Sequence, residues 1–142
     1  MSESIAIHET DEGVDLLDAY SRAVISASER VRPAVVSVTA KGRGGRRKGA
    51  PRIRGIASGF VVAPDGLVLT NSHVVESAGK IAVAFEDGTE YEGEVVGKDR
   101  ATDIAVVRVV GSGLPSAELG DSERLRAGQL VIAIGHPHSL HA

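Results

Sequence analysis

The chain has 142 residues, 42% of them hydrophobic, enough for one domain with a real core and too many for wholesale disorder. It has no cysteine, which excludes disulfides and thiolate metal ligands. Aromatics are 3%, so the core falls to Val, Ile, Leu and Ala, and the stacking platforms of single-stranded nucleic-acid binders are missing.

Met1 to Asp18 holds six acids and neither Lys nor Arg. It has no apolar run of the signal-peptide or membrane-span kind, so the chain as written reads as cytoplasmic, or as exported if a leader has been removed. Val14, Leu17, Val24, Ile25 and Val31 suit an amphipathic helix over 14–31, stopped by Pro33 and packed against the domain that follows. Val35-Val36-Ser37-Val38-Thr39 then reads as a strand over 34–40. It runs into a glycine-rich loop, 41–54, with seven basic residues and no acid, leaving nine bases against nineteen acids in the rest of the chain. Such a loop suits phosphates or an acidic partner, but no aromatic residue or groove-entering helix accompanies it, which disfavours nucleic acid.

Strands follow at short intervals. Residues 56–63 and 67–70 form a hairpin across Pro64-Asp65-Gly66, and 80–85 ends at the turn signal Glu86-Asp87-Gly88-Thr89. The run 91–97 alternates at first and then reads as buried, and 104–110 reads as a strand covered on both faces. Six strands at hairpin spacing, with no long helix between them, imply a mainly β fold: a six-stranded antiparallel barrel preceded by an amino-terminal helix. Two of these strands carry chemistry at their ends. Leu67-Val68-Leu69-Thr70-Asn71-Ser72-His73 places an imidazole, and Thr102-Asp103-Ile104-Ala105 a carboxylate, where a buried strand meets a loop. These are the two proton-handling members of a Ser-His-Asp constellation.

The blocks Ser58-Gly59-Phe60-Val61-Val62, Gly66 to Val75, Phe85-Glu86-Asp87-Gly88-Thr89 and Asp99 to Val107 occur in the order and at the spacing of one family. They are followed by Leu119-Gly120-Asp121-Ser122 and Ala127 to Gly135. Together they resemble the HtrA (DegP-like) family of trypsin-fold serine proteases over most of positions 20–137, its amino-terminal portion only. The resemblance implies a two-barrel fold with a catalytic cleft between the barrels, His73 as general base and Asp103 as the residue that orients and charge-stabilises it. It also implies unfolded or peptide protein substrates for the complete enzyme. Members of the family often carry a PDZ domain and form trimers, and no PDZ sequence lies in these 142 residues.

The family's nucleophile sits in a Gly-Asn-Ser-Gly-Gly-type loop of the second barrel, whose backbone N–H groups form the oxyanion hole. No Ser-Gly-Gly occurs here. Ser58 belongs to the first barrel, Ser72 points away from His73 if the chain is extended there, and Ser139 has no glycine loop after it. The expected organisation is an acidic tail and helix over 1–32, the first barrel over 33–118, and over 119–142 a linker plus the first strand, 130–135, of an absent second barrel. That strand would need a cover: its own barrel, a second copy or a complementing second barrel. The alternative is a non-catalytic, protease-derived binding module using the basic loop and the last strand. His136, His138 and His141 are of a type that binds zinc, copper or nickel, but no carboxylate stands beside them, and no metal or cofactor is assigned.

Overall fold

The computed structural model describes residues 11–42, 52–76 and 78–136. An α-helix, α1 (Asp11–Val31), leads through a short 3-10 turn containing Pro33 into β1 (Val35–Lys41). Then come β2 (Ile53–Ala63), β3 (Leu67–Asn71), the single helical turn α2 (Ser72–Val75), β4 (Lys80–Ala84), β5 (Glu90–Asp99) and β6 (Ile104–Val109). The strands close in the order β1-β2-β3-β6-β5-β4, every pairing antiparallel. This is the six-stranded barrel the sequence implied, and its closure leaves no edge strand among the described residues.

The interior is a valine core. Val36, Val38, Val61, Val68, Val83 and Val107 are fully shielded, each burial worth about 1.5–2 kcal/mol. Such a core of small β-branched side chains has room for close backbone approach. A Cβ on Gly93 of β5 would stand 2.6 Å from Val107 Cγ1 inside the barrel, so glycine is the residue that fits.

Several expectations need correction. The 41–54 loop is shorter than its composition suggested, because Lys41 pairs with Ile53 and Arg54 lies in β2: backbone pairing continues past a bulge at Ala40/Lys41 whatever the side-chain charge. Residues 43–51 of that loop lie outside the described residues. In β6 only Ala105, Val107 and Val109 are buried, while Ile104 and Arg108 face out, so this strand is covered on one face. In β5 a bulge between Val95 and Gly97 takes Val96 out of the ladder and leaves it exposed, where burial was expected.

The helix is present, and in its last two turns Val24, Ala27, Ser28 and Val31 are half-buried, lining clefts shared with the start of β1 and the carboxyl-terminal segment. Leu16, Leu17, Tyr20 and Ile25 are exposed. An Arg32–Glu86 ion pair fixes the junction from which α1 departs. The segment 130–135 forms no strand in the described structure. A strand exists only through a ladder, the barrel is already closed, and Leu130 and Val131 stay exposed. None of the described helices is long and apolar enough to cross a membrane.

Candidate active site

The site begins with how α2 is anchored. After Asn71 the chain leaves the β3 ladder and makes one helical turn that buries Val74 and Val75 against the barrel. Ser72 is turned inward as well, at 3% exposure, and the residue between them, His73, is left facing solvent. The apolar pair is what aims the imidazole outward.

Asp103 arrives from the other side. The β5–β6 connection is tied by Asp99, whose carboxylate accepts from the Ala101 N–H at 3.0 Å and the Thr102 hydroxyl at 2.8 Å. These bonds hold the Asp99 carboxyl below its usual range, the Thr102 hydroxyl first and the Ala101 N–H second. Asp103 itself takes φ of +55°, the one non-glycine residue in the left-handed region among those described. Aspartate tolerates that region better than most residues, and strain of this kind collects where a side chain must be aimed.

The two elements meet. His73 Nδ1 stands 2.7 Å from Asp103 Oδ2 and 2.9 Å from Oδ1, and the His73 N–H donates to Oδ1 at 3.0 Å. His73 and Asp103 therefore lie within hydrogen-bonding distance of each other. The His73 backbone N–H and then its ring hold the Asp103 carboxyl down to about 2. An Arg100–Glu76 ion pair ties the loop before Asp103 to the turn after α2. With its proton on Nδ1, the imidazole has its Nε2 lone pair available to take a proton from a hydroxyl.

Two neighbours escaped the sequence reading. The chain is helical at Ser72, not extended, and the Ser72 hydroxyl donates to Asp103 Oδ1 at 3.0 Å. Asn71 opens the helical turn yet makes no side-chain cap, because its amide donates to Asp103 Oδ2 at 3.1 Å. An Asn three residues ahead of the apolar pair Val74-Val75 is a helix-start signal, and it was the clue to a turn at this point. Of the other serines considered, Ser58 lies in β2, where its hydroxyl accepts from the His136 N–H at 2.9 Å. Ser139, His138 and His141 lie outside the described residues. Beside Asp103 an apolar groove opens, walled by Phe60, Leu69 and Ile104 of the barrel and by Leu130, Ile132 and Ile134 of the carboxyl-terminal segment.

The trypsin-like peptidase domain family matches residues 57–142, more than half of the chain. The chain belongs to this family. Among trypsin-like peptidases it is similar to the serine protease HhoB of Synechocystis, 50% identical over 90 residues that make up 63% of this chain and 22% of the relative. It is likewise similar to a DegP-like periplasmic serine endoprotease of Halomonas elongata, 49% identical over 61% of this chain and 18% of the relative. The crystal structure of the serine endoprotease from Yersinia pestis superimposes with a TM-score of 0.58 at 34% identity, covering 68% of this chain and 33% of that one. The HtrA/DegP resemblance of the sequence is thus shown. The chain spans about a fifth of the length of the curated relatives it matches.

Proposed function

We propose that this chain is the amino-terminal part of an HtrA-like serine endopeptidase, in which His73 is the general base and Asp103 orients it. The observation that carries the reading is the 2.7 Å contact between His73 Nδ1 and Asp103 Oδ2, made across two loops 30 positions apart. A carboxylate on Nδ1 fixes the tautomer in which Nε2 is unprotonated. Nε2 then takes the proton of an attacking serine hydroxyl, Asp103 stabilises the imidazolium that forms, and the same proton passes to the leaving amine. No Ser-Gly-Gly occurs in these 142 residues; on this reading the serine and the oxyanion hole lie outside them, and without those groups the chemistry has neither nucleophile nor stabilised intermediate.

The substrates of the complete enzyme are unfolded or peptide protein chains. That the Halomonas relative is described as periplasmic supports export of the complete protein rather than a cytoplasmic location. A non-catalytic binding module would have no use for an assembled His–Asp pair, which weighs against that alternative.

The test compares the 142-residue chain with a fusion that supplies the second barrel of an HtrA-like relative, both assayed on casein. The chain alone is expected to show no hydrolysis that depends on His73. The fusion is expected to hydrolyse casein and to lose about 10⁴-fold in rate on His73→Ala. Casein turnover by the chain alone, abolished by His73→Ala, would overturn the assignment of the nucleophile to residues outside it. An active fusion indifferent to His73→Ala would overturn the base.

A further inference from the structure

An ionised carboxylate presents about four lone-pair sites, and a catalytic aspartate must keep one of them aimed at the imidazole. At Asp103 the donors can be counted. Oδ1 accepts from the His73 N–H at 3.0 Å and the Ser72 hydroxyl at 3.0 Å. Oδ2 accepts from His73 Nδ1 at 2.7 Å, a nitrogen that also lies 2.9 Å from Oδ1, and from the Asn71 amide at 3.1 Å. Among the described residues, all four donors come from three consecutive positions, 71–73, at the end of β3 and the start of α2. The backbone is fastened by the same segment, since the Ser72 N–H donates to the Asp103 carbonyl at 3.2 Å and the Asn71 amide reaches that carbonyl at 3.4 Å. Of the three side chains, Ser72 alone is buried; His73 and Asn71 are exposed.

We propose that the buried Ser72 hydroxyl is a positioning residue for the His73–Asp103 pair: by donating to Oδ1 it fixes the rotation of the carboxylate, so that Oδ2 stays on His73 Nδ1. The inference rests on the reading of His73 and Asp103 as base and orienting acid. Three features make the hydroxyl effective. A carboxylate only accepts, so the Ser72 bond favours the ionised form. At 3% exposure, Ser72 exchanges its partner for water with difficulty. And the bond falls on the oxygen opposite to the one nearest Nδ1, where it resists the rotation that would carry Oδ2 away. The pair is consequently assembled by this barrel's own residues, before any second barrel is supplied.

The experiment uses the 142-residue chain, labelled for NMR, and reads the titration of the Asp103 carboxyl carbon together with the water-exchange rate of the His73 Nδ1–H. Ser72→Ala removes the hydroxyl and little else, and the backbone amide spectrum reports that the barrel is intact. It is expected to raise the Asp103 midpoint by about half a unit to one unit and to speed Nδ1–H exchange several-fold. Ser72→Thr, which retains the hydroxyl, restores both. In a chain already carrying Asp103→Asn, Ser72→Ala is expected to leave the His73 ring signals unmoved, because the hydroxyl then has no carboxylate to steer. An Asp103 titration unchanged by Ser72→Ala, or the same His73 change in the Asp103→Asn background, overturns the proposal. No peptide hydrolysis is measured, so failure here is distinct from failure of the casein assay.

Discussion

Asp103 combines a left-handed backbone with a depressed carboxyl, and each has a measurable consequence. Its folded value lies at about 2, below the ordinary value near 3.8, because the His73 N–H and ring favour the ionised form. A group depressed in this way contributes stability that is fully present above its unfolded value and lost as pH falls through its folded value. The contribution therefore vanishes between about pH 4 and pH 2. Asp103→Asn, which tolerates the same φ, is expected to flatten the stability of the chain over that window relative to the parent, as followed by urea midpoints. An unaltered pH profile would mean that the His73 contact does not hold the carboxyl down. His73 and Asp103 were singled out in the sequence because each lies inside a block in family order, at the point where a buried strand meets a loop. The Ser72 contact was not legible, since it depends on a helical turn four residues long, and an extended reading of Asn71-Ser72 turns the hydroxyl the wrong way.

Turns decide whether the elements meet, and two glycines separate conformational strain from steric exclusion. Gly66 ends the β2–β3 turn at φ of +102°, and an added Cβ would stand 2.1 Å from the Val109 carbonyl oxygen. The Val109 N–H donates to the Gly66 carbonyl at 2.9 Å, so this turn is fastened to the end of β6. Gly88, in the β4–β5 turn at φ of +86°, has nothing within 4 Å of that position. Gly66→Ala is expected to cost about 3 kcal/mol, from left-handed strain and the weakened bond to Val109, and Gly88→Ala about 1 kcal/mol. Equal shifts in urea midpoint would show that backbone preference alone governs both turns. The strands themselves were legible from β-branched runs between such turns. What local pattern could not supply was pairing: the loss of Val96 from β5 at a bulge, the one-sided cover of β6 and the absence of a strand at 130–135 all depend on which backbone lies alongside.

At the scale of the molecule, the question is where the cooperative barrel ends along the chain. The six strands finish at Val109, yet two later backbone bonds belong to the same body. The Leu114 N–H donates to the Pro64 carbonyl at 3.1 Å and the Ala117 N–H to the Val61 carbonyl at 2.8 Å. Leu114 also packs against the valine core. Beyond Glu118 the character changes: Leu119, Leu125, Leu130 and Val131 are each more than half exposed, and contact is regained mainly where His136 bonds Ser58. We therefore expect a chain ending after Glu118 to keep a cooperative unfolding transition and to lose at most about 1–2 kcal/mol, since little apolar surface is uncovered. A chain ending after Val110 gives up Leu114 and both bonds and is expected to lose a further 2–4 kcal/mol, about 1 for each bond and the rest for the side chain. Urea denaturation of the two truncated chains measures the difference. If they unfold at the same midpoint, the boundary near 118 is wrong and the barrel closes without the segment that follows β6. If the longer one already fails to fold, residues 119–136 are part of the barrel's stability and not a separate linker laid beside it.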